Sequence, residues 1–159
     1  MEPMEQYVKP FVNATLNTFK NFVGFELIVG HPHFSDRVVE FERDISAVIG
    51  LSGEIRGAVV VSMKKNVALK ITDQLVGTPH TDVDDDVVDA LGEIANIIAG
   101  NMKQEVPSGE RILISLPTIV KGKAHSFAWP GKQNRILCIS FKLENEAFYL
   151  LVDMEKSDD

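Results

Sequence analysis

Two stretches of this chain, GLSGEIRGAVVVSM from Gly50 to Met63 and FKLENEAFYLLVDM from Phe141 to Met154, share one build. In each, a strand-like run meets a polar turn, Ser52-Gly53-Glu54 or Glu144-Asn145-Glu146, and an apolar second strand then ends in Met. Turn residues between two such runs read as a β-hairpin. Each hairpin follows a long amphipathic helical pattern, so the order helix-then-hairpin is written twice. A hairpin has to bury its apolar face against something, and helices are what the sequence offers. The expected fold is α+β: a largely antiparallel sheet with helices packed against it, a pseudo-duplicated two-layer domain. Residues 1–154 are read as that single domain and 155–159 as a disordered tail.

In chain order, a first helix is expected from Met4 to Val23, with Val8, Phe11, Val12, Leu16, Phe19 and Val23 recurring at spacings of three and four and Gly24 as its stop. A strand over Phe25–Val29 follows. His31-Pro32-His33 then restricts the next region to an edge strand or a connection, because Pro cannot sit in a central strand. Ile45–Leu51 and Ile55–Met63 form the first hairpin. A short helix over Lys64–Val76 is stopped by Gly77 and Pro79. Beyond a loop at Pro107-Ser108-Gly109, a strand over Ile112–Val120 is interrupted by Pro117. Another is expected over Ala124–Trp129, turning at Pro130-Gly131 into Arg135–Leu143, and Ala147–Met154 completes the second hairpin.

Composition excludes several functions. The net charge of −7 and the lack of a concentrated basic face argue against nucleic acid. No run of about 18 apolar residues is present, and MEPMEQYVKP lacks the order of a signal peptide, so a cytoplasmic protein without membrane insertion is expected. The single cysteine, Cys138, lies in an apolar run and reads as a small buried hydrophobe. Phosphate-loop, dinucleotide, nucleophile-elbow and H-E-x-x-H motifs are absent. His31 and His33 lack a third ligand nearby, His80 and His125 stand alone on surface or loop, and no metal site is expected.

The stretch DDDVVDALGEIANIIAGNMK, Asp84 to Lys103, is the clearest helix. At 100° per residue Val87, Leu91, Ile94 and Ile98 form one stripe, opposite Asp89, Glu93, Asn96, Gly100 and Lys103. The aspartates offer an N-cap and suit the positive end of the helix dipole. Glu93 and Asn96 project side by side, a carboxylate beside a carboxamide. Alone, that pair reads more readily as solvated surface than as a site. Gly92, Ala95, Ala99 and Gly100 are small residues around it, and the glycines cost helix propensity, about 1 kcal/mol each relative to Ala.

The order Asp89, Glu93, Asn96 and then Pro117 about twenty residues on resembles the signature of the CheC/CheX/FliY phosphatases of bacterial chemotaxis. GEIANIIAGN (Gly92 to Asn101) is similar to that family's active-site helix, and YVKPFVNATLNTF (Tyr7 to Phe19) to the first helix of the CheX branch. The resemblance implies a CheC-like fold and hydrolysis of the aspartyl phosphate on a CheY-type response-regulator receiver. Asn96 would orient the attacking water and Glu93 would pair with the receiver's active-site lysine. Mg²⁺ would come with the receiver, so the chain needs no cofactor of its own. Asp89, Gly92 and Gly100 would face the partner, the small residues along this face, Ala95 and Ala99 included, letting the helix enter a narrow cleft; for the two alanines, close packing within the domain is an equal reading. Asp89 is equally a first-turn dipole residue, and Pro117 is structural. Two-site relatives carry a second E-x-x-N in the first helix, but here Glu5 is followed by Val8. One site per chain follows, favouring the homodimeric CheX branch, with the strand near Pro130-Gly131 as a candidate joint. The competing reading is a non-catalytic scaffold or docking module in a flagellar-switch or two-component complex; a third is a phosphatase for another receiver.

Overall fold

A computed structural model describes residues 5–35, 43–123, 125, 127 and 135–157. The first helix, α1 (Glu5–Thr18), widens into a π-helical turn over Phe19–Val23 and ends at Gly24, matching the expected extent. Two short strands, β1 (Ile28–Val29) and β2 (His33–Ser35), both pair with the same later strand, β7, so the segment around Pro32 does lie at an edge. The first hairpin is β3 (Ile45–Gly53) with β4 (Ile55–Met63). Then come α2 (Lys65–Val76), α3 (Asp85–Glu105), β5 (Ile112–Ile114), β6 (Thr118–Lys121), β7 (Ile136–Leu143) and β8 (Glu146–Lys156). α2 stops at Gly77, whose φ of 87° is left-handed and suits a residue without Cβ. Its first turn is capped from outside, the Lys65 amide donating to Asp44 Oδ2 at 2.7 Å.

All eight strands join one antiparallel sheet in the order β1-β7-β8-β4-β3-β5, with β2 also on β7 and β6 also on β3. Strand alternation decides which face meets the helices. Ile45, Ala47, Ile49 and Leu51 of β3, Val59, Val61 and Met63 of β4, Leu137, Ile139, Phe141 and Leu143 of β7, and Phe148, Leu150, Val152 and Met154 of β8 share one buried core with the apolar sides of α1, α2 and α3. Phe19 of the π turn stacks on Phe148, which stacks on Phe141, at centroid separations of 4.9 and 5.4 Å.

The duplication seen in the sequence is a geometric symmetry. β4 pairs with β8 at the centre of the sheet, Val60 directly opposite Leu151. These two occupy equivalent places in their hairpins, counted back from Met63 and Met154. The pairs on either side, Val59 with Val152 and Val61 with Leu150, exchange under the same superposition. A pseudo-twofold axis thus passes between Val60 and Leu151 and relates hairpin β3–β4 to hairpin β7–β8.

On the face away from the helices a smaller cluster forms from Val60, Ile136, Cys138 and Leu151, with Val48, Phe127 and Tyr149 packed on it. Cys138 is the buried small hydrophobe expected, and burial pushes its thiol up to about 11. Nearby the buried Ser46 and Ser62 hydroxyls bond each other at 2.7 Å. His125 does not stand alone: its Nδ1 donates to the Gly122 carbonyl, leaving Nε2 to accept from Ser46 at 2.7 Å.

Of the tail expected from residue 155, β8 takes in Glu155 and Lys156, Ser157 donates through its amide to the Glu54 carbonyl and through its hydroxyl to the Gly53 carbonyl, and residues 158–159 lie outside the described residues. The strand expected over Ile112–Val120 with an interruption at Pro117 is found as β5 and β6, with Ser115-Leu116-Pro117 off the ladder between them. The strand expected over 124–129 and the turn at Pro130-Gly131 lie outside the described residues, apart from His125 and Phe127.

Candidate active-site helix

Asp84 caps α3, its side chain accepting from the Val87 amide at 3.2 Å, and Asp85 and Asp86 follow in the first turn with Lys103 in the last. Val87, Leu91, Ile94 and Ile98 are at most 1 % exposed, so the apolar stripe is the seated one. Opposite it Asp89 and Glu93 are exposed, and Asn96, Gly100 and Lys103 are half-buried. A helix spacing of three sets the Cβ atoms of Glu93 and Asn96 about 5–6 Å apart. Among the described residues neither side chain has a hydrogen-bonding or ionic partner, so both are open to an outside one.

Rigid neighbours border this strip. On one side stands α1: Asn101 Nδ2 donates to Thr18 Oγ1 and Asn13 Nδ2 to Glu105 Oε1, each at 3.2 Å. On the other lies the β5–β6 turn. A Cβ on Gly92 would stand 3.2 Å from Pro117 Cγ, so the glycine lets the turn come against the helix. Gly92 was expected to face a partner; it is buried and its space is filled from within. Ala95 and Ala99 are likewise fully buried in the core, so the packing reading holds for them. Gly100 differs, because a Cβ there would meet nothing within 4 Å. Of the small residues, Gly100 alone borders open space beside Glu93 and Asn96.

The helix start is held by a residue that sequence reasoning passed over. His80 does not stand alone on the surface: its side chain is 4 % exposed between two carboxylates, Nδ1 at 2.9 Å from Asp73 of α2 and Nε2 at 2.9 Å from Asp86 of α3. The hydrogen bond to Asp86, then that to Asp73, lifts its pKa from 6.5 to about 9. The protonated imidazole therefore ties α2 to the first turn of α3. His80, Asp84 and Asp86 also bring ligating atoms within 4.8 Å of one another, but with both ring nitrogens engaged the ion-pair clamp accounts for that cluster. His80 lies in the α2–α3 connection, seven residues from Asp73 and six from Asp86, a spacing that no local pattern marks as an ion pair.

Chemically, α3 presents an anionic acceptor and a neutral amide side by side on a backbone fixed from below and from both flanks. Such a pair can accept from a cationic group and orient a water.

Comparison with known proteins places the helix in context. The CheY-P phosphatase CheX of Thermotoga maritima is 26 % identical over 118 residues, 73 % of this chain and 76 % of that protein. The crystal structure of a chemotaxis protein CheX from Desulfovibrio desulfuricans aligns with a TM-score of 0.84 and 27 % identity, covering 94 % of this chain and 99 % of that one. A chain in the CheX-CheY-BeF3-Mg²⁺ complex from Borrelia burgdorferi shares the fold, with a TM-score of 0.77 at 22 % identity over 94 % of this chain and 98 % of that one. No helix among the described residues is long and apolar enough to cross a membrane. The sequence model described as chemotaxis phosphatase CheX matches residues 45–142, a span that holds Glu93, Asn96 and Pro117, and this chain therefore belongs to the CheX family of chemotaxis phosphatases.

Proposed function

We propose that this protein hydrolyses the aspartyl phosphate of a CheY-type receiver domain, with Asn96 and Glu93 as the working pair. The observation that carries the reading is their juxtaposition on the open face of α3, within the family match and without partners among the described residues. The phosphatase named in Thermotoga maritima and the CheX–CheY complex from Borrelia burgdorferi support the choice of substrate.

An acylphosphate already carries a good leaving group, so the need is for placement rather than a strong base. Asn96 Oδ1 accepts a hydrogen bond from a water and aims its oxygen in line at phosphorus. As the P–O bond to the receiver's aspartate breaks, the carboxylate leaves with the bonding pair, inorganic phosphate forms, and the water's proton passes to a phosphate oxygen or to solvent. A neutral amide suits this place because a carboxylate would repel the phosphoryl group. Glu93 pairs with the receiver's active-site lysine and fixes the docking. The substrate is taken as the receiver with its own Mg²⁺, which neutralises the phosphoryl oxygens. We further propose that the protein acts in the cytoplasm as a homodimer with one such site per chain.

Phosphate release from a panel of phosphorylated receivers tests the proposal. Asn96→Ala should lower kcat about 10²-fold while the complex still forms. Glu93→Ala should mainly raise KM, by about 2 kcal/mol or roughly 30-fold. If neither wild type nor variants release phosphate although all bind the receiver, the protein is a docking module instead. A receiver outside chemotaxis that is turned over faster than CheY would reassign the substrate.

A further inference from the structure

The β5–β6 turn presents the most exposed large apolar side chain among the described residues, Leu116, at 87 %. A lone surface leucine ordinarily needs no explanation. This one is unlike a residue on a mobile loop, because the turn is tied down at every step. The Ser115 amide donates to the Gly50 carbonyl at 2.9 Å, the Gly50 amide donates to Ser115 Oγ at 2.8 Å, and that hydroxyl donates to the Leu116 carbonyl at 2.9 Å. One residue later Pro117 lies against Gly92 of α3, the neighbour of Glu93. The chain thus accepts a glycine in its best helix, and loses ladder pairing between β5 and β6, to bring this turn against the site.

Helix geometry settles which side of the site the turn borders. Asn96 and Asp89 are both rotated from Glu93 toward the flank on which Gly92 meets Pro117. The segment that carries Leu116 therefore borders the amide's side of the strip, through Pro117. The exposed N-terminal half of α3 carries Asp85, Asp86, Asp89 and Glu93, so it is anionic throughout. A phosphorylated receiver brings negative charge to such a face together with the cations that offset it, and complementary charge fixes register more than affinity. Apolar burial has to supply the rest.

We propose that Leu116 is the apolar anchor for the receiver domain, inserting beside the phosphorylation site when Glu93 and Asn96 engage it. This assignment rests on the phosphatase reading above. The anchor acts on docking and touches no reacting atom, so its loss appears in KM and spares kcat. Leu113 is the internal control: it is 58 % exposed, but alternation along β5 turns it away from the helix layer that Ile112 and Ile114 face.

The test is steady-state phosphate release from the CheY receiver turned over fastest in the panel above, over a range of receiver concentrations. Leu116→Ser should raise KM about tenfold with kcat and melting temperature unchanged; Leu116→Met should stay close to wild type, and Leu113→Ser should change neither constant. A wild-type KM for Leu116→Ser, alongside lost turnover in Asn96→Ala, overturns the anchor and leaves the phosphatase reading standing. A fall in kcat at unchanged KM makes Leu116 a support for α3 and also overturns the docking role. A wild-type protein that releases no phosphate overturns both.

Discussion

The two helices that the duplicated plan places before its hairpins, α1 and α3, have diverged in opposite directions. α1 carries Pro10 within its span, bends Thr15 and Thr18 hydroxyls back onto the carbonyls of Phe11 and Ala14, and ends in a π turn whose Phe19 stacks into the core. Its surface Asn13 is occupied by Glu105. α3 is a regular helix of 21 residues with a side-chain cap, a charged first turn and an outer strip whose carboxylate and amide have no internal partner among the described residues. Both helices seat on the same sheet face. The scaffold therefore tolerates irregularity where it only packs and is straight where it holds an outward carboxylate and amide. On the proposed reading, function lies in a few outward side chains on one copy of a shared frame.

That contrast can be attacked in order of expected effect. Interchanging the pair, Glu93→Asn together with Asn96→Glu, preserves composition, charge and helix register. Phosphate release should fall more than about 10²-fold with the melting temperature unmoved, whereas Asn13→Ala and Asn17→Ala on α1 should leave turnover unchanged. Gly92→Leu forces a branched side chain into the space that Pro117 fills, and should destabilise by about 2 kcal/mol in a urea titration. Gly100→Ala meets open space and should stabilise by about 0.5–1 kcal/mol through helix propensity, while a bulky Gly100→Trp should raise KM without loss of stability.

The smallest effect concerns the clamp. The folded-state pKa of His80 is raised to about 9 from 6.5, so its contribution is fully present below pH 6.5 and disappears as pH rises through about 9. His80→Gln should therefore melt below wild type at pH 6, and the two curves should converge by pH 10. A gap that persists at pH 10 would mean the imidazole acts by packing.

Much of this was legible in the linear sequence. The hairpins were read from their turns, and the seated stripe of α3 from its period, because both signals are local. The candidate pair, Glu93 and Asn96, came from a spacing that only a specific family gives meaning. What escaped depends on distant approach. Ala95 stands beside Asn96 in sequence but faces the core, and Gly92 serves a proline that arrives from the β5–β6 turn. Lys156 and Ser157 are ordered because β8 lies beside β4 and the turn at Gly53 and Glu54 receives them, which no C-terminal composition reveals. The partners of His80 lie on two different helices, so its charge was invisible before folding.

Single-turnover phosphate release, with enzyme saturating over phosphorylated CheY and Mg²⁺ present, isolates the proposed role of the amide from docking. Asn96→Ala and the isosteric Asn96→Asp should both release phosphate about 10²-fold more slowly than wild type at full occupancy. Release by Asn96→Ala at the wild-type rate would contradict the account, since no oriented water at position 96 would then be needed.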